Sequence, residues 1–449
     1  MAPKRKKLTS ETRHCKGELD YNHDLPVQTS VERSFFQDIS SEPFSGNSPI
    51  EFNISGSSRE YIDFANTYLV LRVAIQLADG KKLNVSEENT GKSLSISNNF
   101  LHSLFANIEV VFNGTHITRS YSNYAYKALL QNLLGYGKDV KENSFLRCEG
   151  WSTDEAEKFE SLTGKGISAR KSWISGSKVF ELAAALKIDI AQQHKLIPDG
   201  VAITIKCIRH NSEFPLIDLA PDDVAGAAKS NFGKYKIHVE SATLRVKKVE
   251  LSPSEHLRLI NDIQSTPFKI PIRRADVTSQ SIPANLLSKK IERLYEGQLP
   301  RLLFVTFVDG KAYNGDIRKN PYYFQTFNLK EIQCYCNGTA IPSTPYQLDF
   351  VNGNYVQPYL ALHEAIGSYR MEHSPAVSYE AFSQGNAIYA FTITPVTNCQ
   401  FVNPIQNGNI SIEMKWEKAL SNPINIIIYA EYDSLIYINE SRQITTDYQ

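Results

Sequence analysis

Stretches in which apolar and polar residues strictly alternate recur along this chain, and they limit it more than any other feature. Leu69, Leu71, Val73, Ile75 and Leu77 share one face, with Tyr68, Arg72 and Gln76 on the other. Val201, Ile203, Ile205 and Cys207 repeat the pattern, as do Ile410, Ile412, Met414 and Trp416 against Ser411, Glu413 and Lys415. A period of two with one wet face belongs to antiparallel sheets packed as a sandwich or barrel. Val246 and Val249 break the alternation as a β-bulge would. The 23 Tyr and 22 Phe suit half-buried pleated surfaces, and five Asn-Gly pairs, at Asn113, Asn314, Asn337, Asn352 and Asn407, supply the positive φ that tight hairpin turns require.

Helical signals are few. Tyr126, Leu129, Leu130, Leu133 and Leu134 follow the helical spacing, with Gly135 placed to close the helix in a left-handed conformation. Ser152-Thr153-Asp154-Glu155 reads as a capping box opening a second helix, and Pro253 to Ile263 as a third. Gly135 to Gly176 and Asn211 to Lys234 are long and mixed in composition, as exposed or subunit-contact loops would be.

The chain also repeats itself once. Asp79-Gly80-Lys81 is answered by Asp309-Gly310-Lys311. The strand and turn from Ile108 through Asn113-Gly114-Thr115 to Ile117 is answered by Ile332 through Asn337-Gly338-Thr339 to Ile341. Gly200 opens one alternating strand and Gly408 another. Three matches in one order predict two similarly built β domains in tandem. The expected division is an arm over 1–30, a first domain over 31–252, a short helical linker over 253–265 and a second domain over 266–449.

Lys and Arg number 48, as do Asp and Glu, so no overall field draws the chain to nucleic acid or membrane. Positive charge gathers in the arm, at Lys4, Arg5, Lys6, Lys7, Arg13 and Lys16 against Glu11 alone up to residue 17. Lys4 to Lys7 read as a nuclear-import signal or a polyanion contact, or else as a solvated tail. Six cysteines are too sparse for a disulfide scaffold, and no export signal is evident, so an intracellular, reducing site of synthesis is expected. Ile424 to Ile438 is apolar but interrupted by Asn425, Glu431 and Asp433, short of the ~20 residues a membrane helix needs, so no membrane insertion is expected.

Motifs that carry chemistry fail in detail. Gly91-Lys92-Ser93 has Ser86 where a phosphate-binding loop needs glycine, and Gly164-Lys-Gly166 follows no strand of a βαβ unit. Cys334 and Cys336 share a strand face, but no His or Cys pair with suitable spacing completes a metal site, so they read as packing residues. His102, His363 and His373 read as hydrogen-bonded residues. No catalytic residue, cofactor site or metal site is assigned; a carbohydrate-processing sandwich would need paired carboxylates that sequence cannot bring together.

Leu101-His102-Ser103-Leu104-Phe105-Ala106-Asn107, Asn113-Gly114, Tyr124-Ala125-Tyr126-Lys127, Phe180-Glu181-Leu182 and Lys187-Ile188-Asp189-Ile190 resemble the major capsid protein of Polinton/Maverick elements and adintovirus-like viruses. So do Gly297-Gln298-Leu299-Pro300, Phe307 through Asp316, Asn320-Pro321, Phe324-Gln325, Tyr429 through Asp433, and Ser441-Arg442. The resemblance spans about residues 60 to 449 and finds nothing before about residue 35. It implies an all-β double jelly roll, two tandem eight-stranded sandwiches with short helices in loops. It also implies a homotrimeric, pseudo-hexagonal capsomer in an icosahedral shell around double-stranded DNA. The implied partners are further copies of the chain and a single jelly-roll protein at the five-fold vertices, with the arm free to touch DNA. The implied locations are the virion capsid and, during assembly, the host nucleus. The same gene kept by a host genome for a non-virion binding role is the alternative.

Overall fold

The computed structural model describes residues 30–84, 93–118, 123–219, 233–369, 375, 377–394 and 405–448. Among these residues, ten strands come from the first half: β1 (Val31–Ser40), β2 (Ile50–Ile54), β3 (Glu60–Leu77), β4 (Leu94–Ile96), β5 (Phe105–Phe112), β6 (Thr115–His116), β7 (Phe180–Ala184), β8 (Ile203–Arg209), β9 (Leu216–Asp218) and β10 (Tyr235–Leu251). Nine follow: β11 (Phe268–Ile282), β12 (Ser288–Gln298), β13 (Leu302–Asp309), β14 (Leu329–Cys336), β15 (Thr339–Gln347), β16 (Ile388–Thr392), β17 (Asn407–Trp416), β18 (Ile424–Ile438) and β19 (Ile444–Thr446).

The first half builds sheets β1-β10-β3-β7 and β2-β8-β5-β6; the second builds β11-β18-β13-β16 and β12-β17-β14-β15. Leaving aside the short β4, β9 and β19, the first eight strands and the second eight enter their sheets in the same order. This is a double jelly roll, two eight-stranded antiparallel sandwiches in tandem.

The alternation does what its period predicts. In β3 the residues Leu69, Leu71, Val73 and Ile75 are buried while Arg72 points to solvent. β10 runs antiparallel along it from Tyr235 opposite Leu77 to Glu250 opposite Glu60. The register jumps from Arg245 opposite Tyr68 to Lys247 opposite Asp63, so an irregularity falls where the pattern breaks, with its excess residues 64–67 on β3 and the buried Val246 left without a β3 partner.

The three repeat matches occupy equivalent places. Asp79-Gly80 and Asp309-Gly310 follow the third major strand of each roll, and Asn113-Gly114 and Asn337-Gly338 turn β5 into β6 and β14 into β15. Both turns hold positive φ at both central residues, 45° and 84° in one, 50° and 80° in the other. Each asparagine then clamps the strand next to its turn. The Asn113 N–H donates to the Ala202 carbonyl at 3.0 Å and its Oδ1 accepts from the Ala202 N–H at 2.8 Å. Asn337 makes the same pair with Asn409, both at 2.9 Å. Asn407-Gly408 departs from the hairpin expectation and lies inside β17. There a Cβ on Gly408 would stand 2.4 Å from Asn337 Oδ1, so the clamp needs glycine beside it.

Two helical readings need correction. The Tyr124–Gly135 helix forms, but Gly135 is not left-handed: the chain leaves the helix through an extended Tyr136, φ −121° and ψ 143°. No helix starts at Ser152. Asp154 instead accepts from Arg170 at 2.8 Å and Glu155 from the Lys165 N–H at 3.4 Å, so both carboxylates serve the later Lys165–Trp173 helix. The third helix runs Pro253–Ser265, with Ser252 accepting from the Glu255 N–H.

Each roll has its own core, and each is completed by the other half of the chain. Ile270, Ile272, Ile436, Ile438 and Tyr448 pack into the first core. Tyr126, Leu129, Leu130, Leu133 and Trp151 pack into the second. The segment from Gly135 to Gly176 is therefore not a free loop, because Trp151, Phe159, Ile167 and Arg170 are buried within it.

Candidate functional site

Lys4, Arg5, Lys6 and Lys7, and also His373, lie outside the described residues. Cys334 is buried in β14, where burial pushes its thiol up to about 12, and Cys336 is half-buried two residues on. Among the described residues no group of three or more His, Cys, Asp or Glu side chains gathers as a metal site would require. Nor, among them, is any helix long and apolar enough to cross a membrane. His363 binds Ser368 through Nδ1 at 2.8 Å, a local tie within one helix end.

His102 comes nearest to a catalytic geometry. Its Nε2 meets Glu149 at 3.2 Å and its Nδ1 meets the Tyr124 hydroxyl at 2.9 Å. Burial holds the imidazole below its usual pKa. Burial also opposes ionisation of Glu149, but the hydrogen bond and charge of His102, the charge of Lys187 and the hydrogen bond from Asn132 together outweigh it and hold that carboxyl low. The imidazole thus bridges Glu149 and the Tyr124 hydroxyl, whose oxygen in turn accepts from the Lys187 N–H. His102 has no solvent exposure, so the chain of bonds holds the Tyr124–Gly135 helix in place and presents nothing to a substrate.

Polar and aromatic contacts tie the two rolls along a seam. Asp189 accepts from Lys127 Nζ at 2.6 Å and, across the seam, from the Ala275 N–H of β11 at 3.1 Å; burial raises its pKa. Asn123 Nδ2 donates to the Val277 carbonyl at 3.1 Å, and the Tyr313 hydroxyl donates to Asn123 Oδ1 at 3.0 Å. Tyr126 stacks on Tyr313 with centroids 5.9 Å apart and meets the edge of Tyr322. Phe159 stacks on Tyr323, while Asn320 binds the Phe159 carbonyl and the Glu160 carboxylate. At the far end Arg442 holds Asp199 at 2.6 Å, and its carbonyl accepts from Asn113 Nδ2 at 2.9 Å.

Tyr126, Lys127, Asp189, Tyr313, Asn320 and Arg442, which sequence gathered only as scattered motif pieces, thus converge on one seam. Asp199, Asn123 and Phe159 had no sequence signal, since each reads as an ordinary loop residue. Buried, hydrogen-bonded and aromatic, this arrangement fixes two sandwiches rigidly side by side. Outside it, Val351, Val356, Leu360 and Tyr369 are exposed apolar side chains on one stretch of the second roll.

No family model matches the chain. It is 27% identical over 434 residues to the uncharacterized protein F54H12.2 of Caenorhabditis elegans, covering 94% of this chain and 99% of that protein. In fold it is similar to a chain of the Sputnik virophage, solved by cryo-electron microscopy. That likeness has a TM-score of 0.65 and 11% identity over 96% of this chain and 91% of the other. The crystal structure of the mavirus major capsid protein superposes with a TM-score of 0.53 and 13% identity over 100% and 96%. At such identities the shared property is the double jelly-roll fold.

Proposed function

We propose that this chain is a major capsid protein of the kind carried by Polinton/Maverick elements and adintovirus-like viruses. The observation that carries this reading is the duplicated roll, with its sheet order and asparagine clamp repeated, in a fold that superposes over nearly its whole length on the mavirus major capsid protein. Two similar rolls per chain give a trimer six similar corners, so three chains form a pseudo-hexagonal capsomer that tiles an icosahedral shell around double-stranded DNA. The rolls are residues 31–252 and 266–449, joined by 253–265. The partners are further copies of the chain and a single jelly-roll protein at the vertices. The site of action is the virion capsid, with assembly in the host nucleus. The role is structural, and no residue is assigned to catalysis.

Light scattering and electron microscopy of the purified protein test this. The expected result is a mass three times the 50.6 kDa of the chain, with hexagonal particles or closed shells. A monomer that assembles at no salt or protein concentration, with or without the vertex protein, overturns it. Deleting residues 1–17 leaves folding intact and lowers nuclear accumulation or salt-sensitive DNA association if Lys4 to Lys7 act as an import or polyanion signal; unchanged localisation and DNA binding refute that role. The nematode source of the 27% identical relative favours a second reading, a capsid-derived protein retained by a host genome for a non-virion binding role. That reading gives trimers that never close into shells.

A further inference from the structure

Between the rolls, on the face of the β11-β18-β13-β16 sheet that meets the Tyr124–Gly135 helix, lies a cavity of about 600 Å³. Arg301, Arg273 and Glu431 enter it from the second roll, and Lys187, Gln131 and Gln192 from the first. Arg301 is 7% exposed, and its Nε has no hydrogen-bond partner among the described residues. Its nearest carboxylate oxygen, Glu431 Oε2, stands 3.9 Å away, beyond hydrogen-bond reach. Glu431 is otherwise engaged, because its Oε1 accepts from the Tyr429 hydroxyl at 3.3 Å, and Tyr429 in turn accepts from Gln131 across the seam. Arg273 leans on Asp433 at 3.7 Å, and Lys187 Nζ lies 3.5 Å from the Tyr136 hydroxyl.

Arg301, Arg273 and Lys187 therefore line this cavity with Glu431, and the most deeply buried guanidinium keeps its Nε donor unpaired. A guanidinium offers a planar fork of N–H groups that matches the oxygens of an oxyanion, and leaving it desolvated and unpaired is costly. The cations come from both rolls. That suits an anion with oxygens pointing in several directions, as phosphate has, better than a planar carboxylate, which one fork satisfies.

We propose that the seam cavity is a binding site for a small phosphate-class oxyanion, gripped by Arg301 from the second roll and Lys187 from the first. Because the two grips belong to different rolls, the bound anion cross-links them and stiffens the seam. This inference depends on the fold and not on the capsid reading.

The test uses the full chain, with calorimetry and thermal unfolding in inorganic phosphate, tripolyphosphate and ATP against sodium chloride of equal ionic strength. The expected result is saturable binding of one anion per chain with a rise in Tm. Tighter binding of ATP than of tripolyphosphate identifies a nucleotide as the source, and equal binding identifies free oligophosphate. Arg301→Lys weakens binding about tenfold, the loss expected when a bidentate charge-assisted contact becomes a single point charge. Lys187→Gln weakens it as well. Glu431→Gln tightens binding, because it removes the competing carboxylate while leaving Arg301 in place, and it decides the matter if Arg301→Lys fails to fold. Binding no stronger than in matched chloride, or binding indifferent to Glu431→Gln and Lys187→Gln, overturns the proposal; the second result would place the anion elsewhere.

Discussion

Replacing Lys141 with Met stabilises this protein. Lys141 lies on the short Lys138–Asn143 helix with no solvent exposure, and no ion pair to it is found among the described residues. Its Nζ donates to the Leu133 carbonyl at 2.5 Å, in the last turn of the Tyr124–Gly135 helix, and sits 5.8 Å from the Trp151 ring. Burial pushes its pKa down from 10.5 to about 7. Each tenfold change in proton affinity is worth about 1.4 kcal/mol, so below pH about 7, where both states are protonated, the charge costs the fold about 5 kcal/mol. Methionine fills nearly the same volume without that cost, but it leaves the Leu133 carbonyl unpaired, a loss of about 1–2 kcal/mol. The net gain near pH 6 is about 3–4 kcal/mol.

The sign of the pH dependence follows from the direction of the shift. The folded state holds this proton more weakly than the unfolded state, so the penalty is full below pH about 7 and fades as pH rises toward 10.5. Urea unfolding of the wild type and Lys141→Met at pH 6, 7, 8 and 9 measures the difference directly. The advantage of the variant is nearly constant between pH 6 and 7 and shrinks from pH 7 to 9. A variant less stable than the wild type at pH 6, or a difference that does not change with pH, refutes the reasoning.

Three further outcomes follow from the packing. Asn337→Ala removes one side-chain bond from its clamp and lowers stability by about 1–2 kcal/mol, whereas Asn113→Ala also removes the Nδ2 bond to the Arg442 carbonyl and lowers it further, which chemical denaturation checks by comparing the two losses. Gly385→Ala destabilises by about 2 kcal/mol or more, since its Cβ would lie 2.1 Å from the Phe159 ring at φ 129°; thermal unfolding measures the loss. A fragment of residues 31–252 expressed alone does not fold to a native state, because Ile270, Ile272, Ile436 and Ile438 are missing from its core. Circular dichroism and dye binding show a loose, apolar-exposing chain, and a cooperative unfolding transition would contradict this.

What could be read without the structure was whatever a single strand or turn dictates. Alternation in β3, β8 and β17 located three principal strands, and the slip at Val246 showed as a break in period. Two Asn-Gly pairs revealed the equivalent hairpins. Readings failed where a local signal had a distant competitor. The Ser152 capping box was drawn off by Arg170 and Lys165, and the Gly135–Gly176 stretch, polar enough to pass for a loop, is anchored by Trp151 and Phe159.

By itself, then, the sequence determined the strands, their turns and the duplication, because side-chain alternation and backbone φ preferences act within a few residues. Only the tertiary structure decided the seam: that Asp199 meets Arg442 across 243 positions, that Asn123 reaches Val277 across 154, that each roll borrows core residues from the other, and that Arg301 is left facing a cavity. Each of those side chains alone reads as ordinary polar surface. Its role arises only when the two sandwiches bury it together and withdraw the water that would otherwise satisfy it.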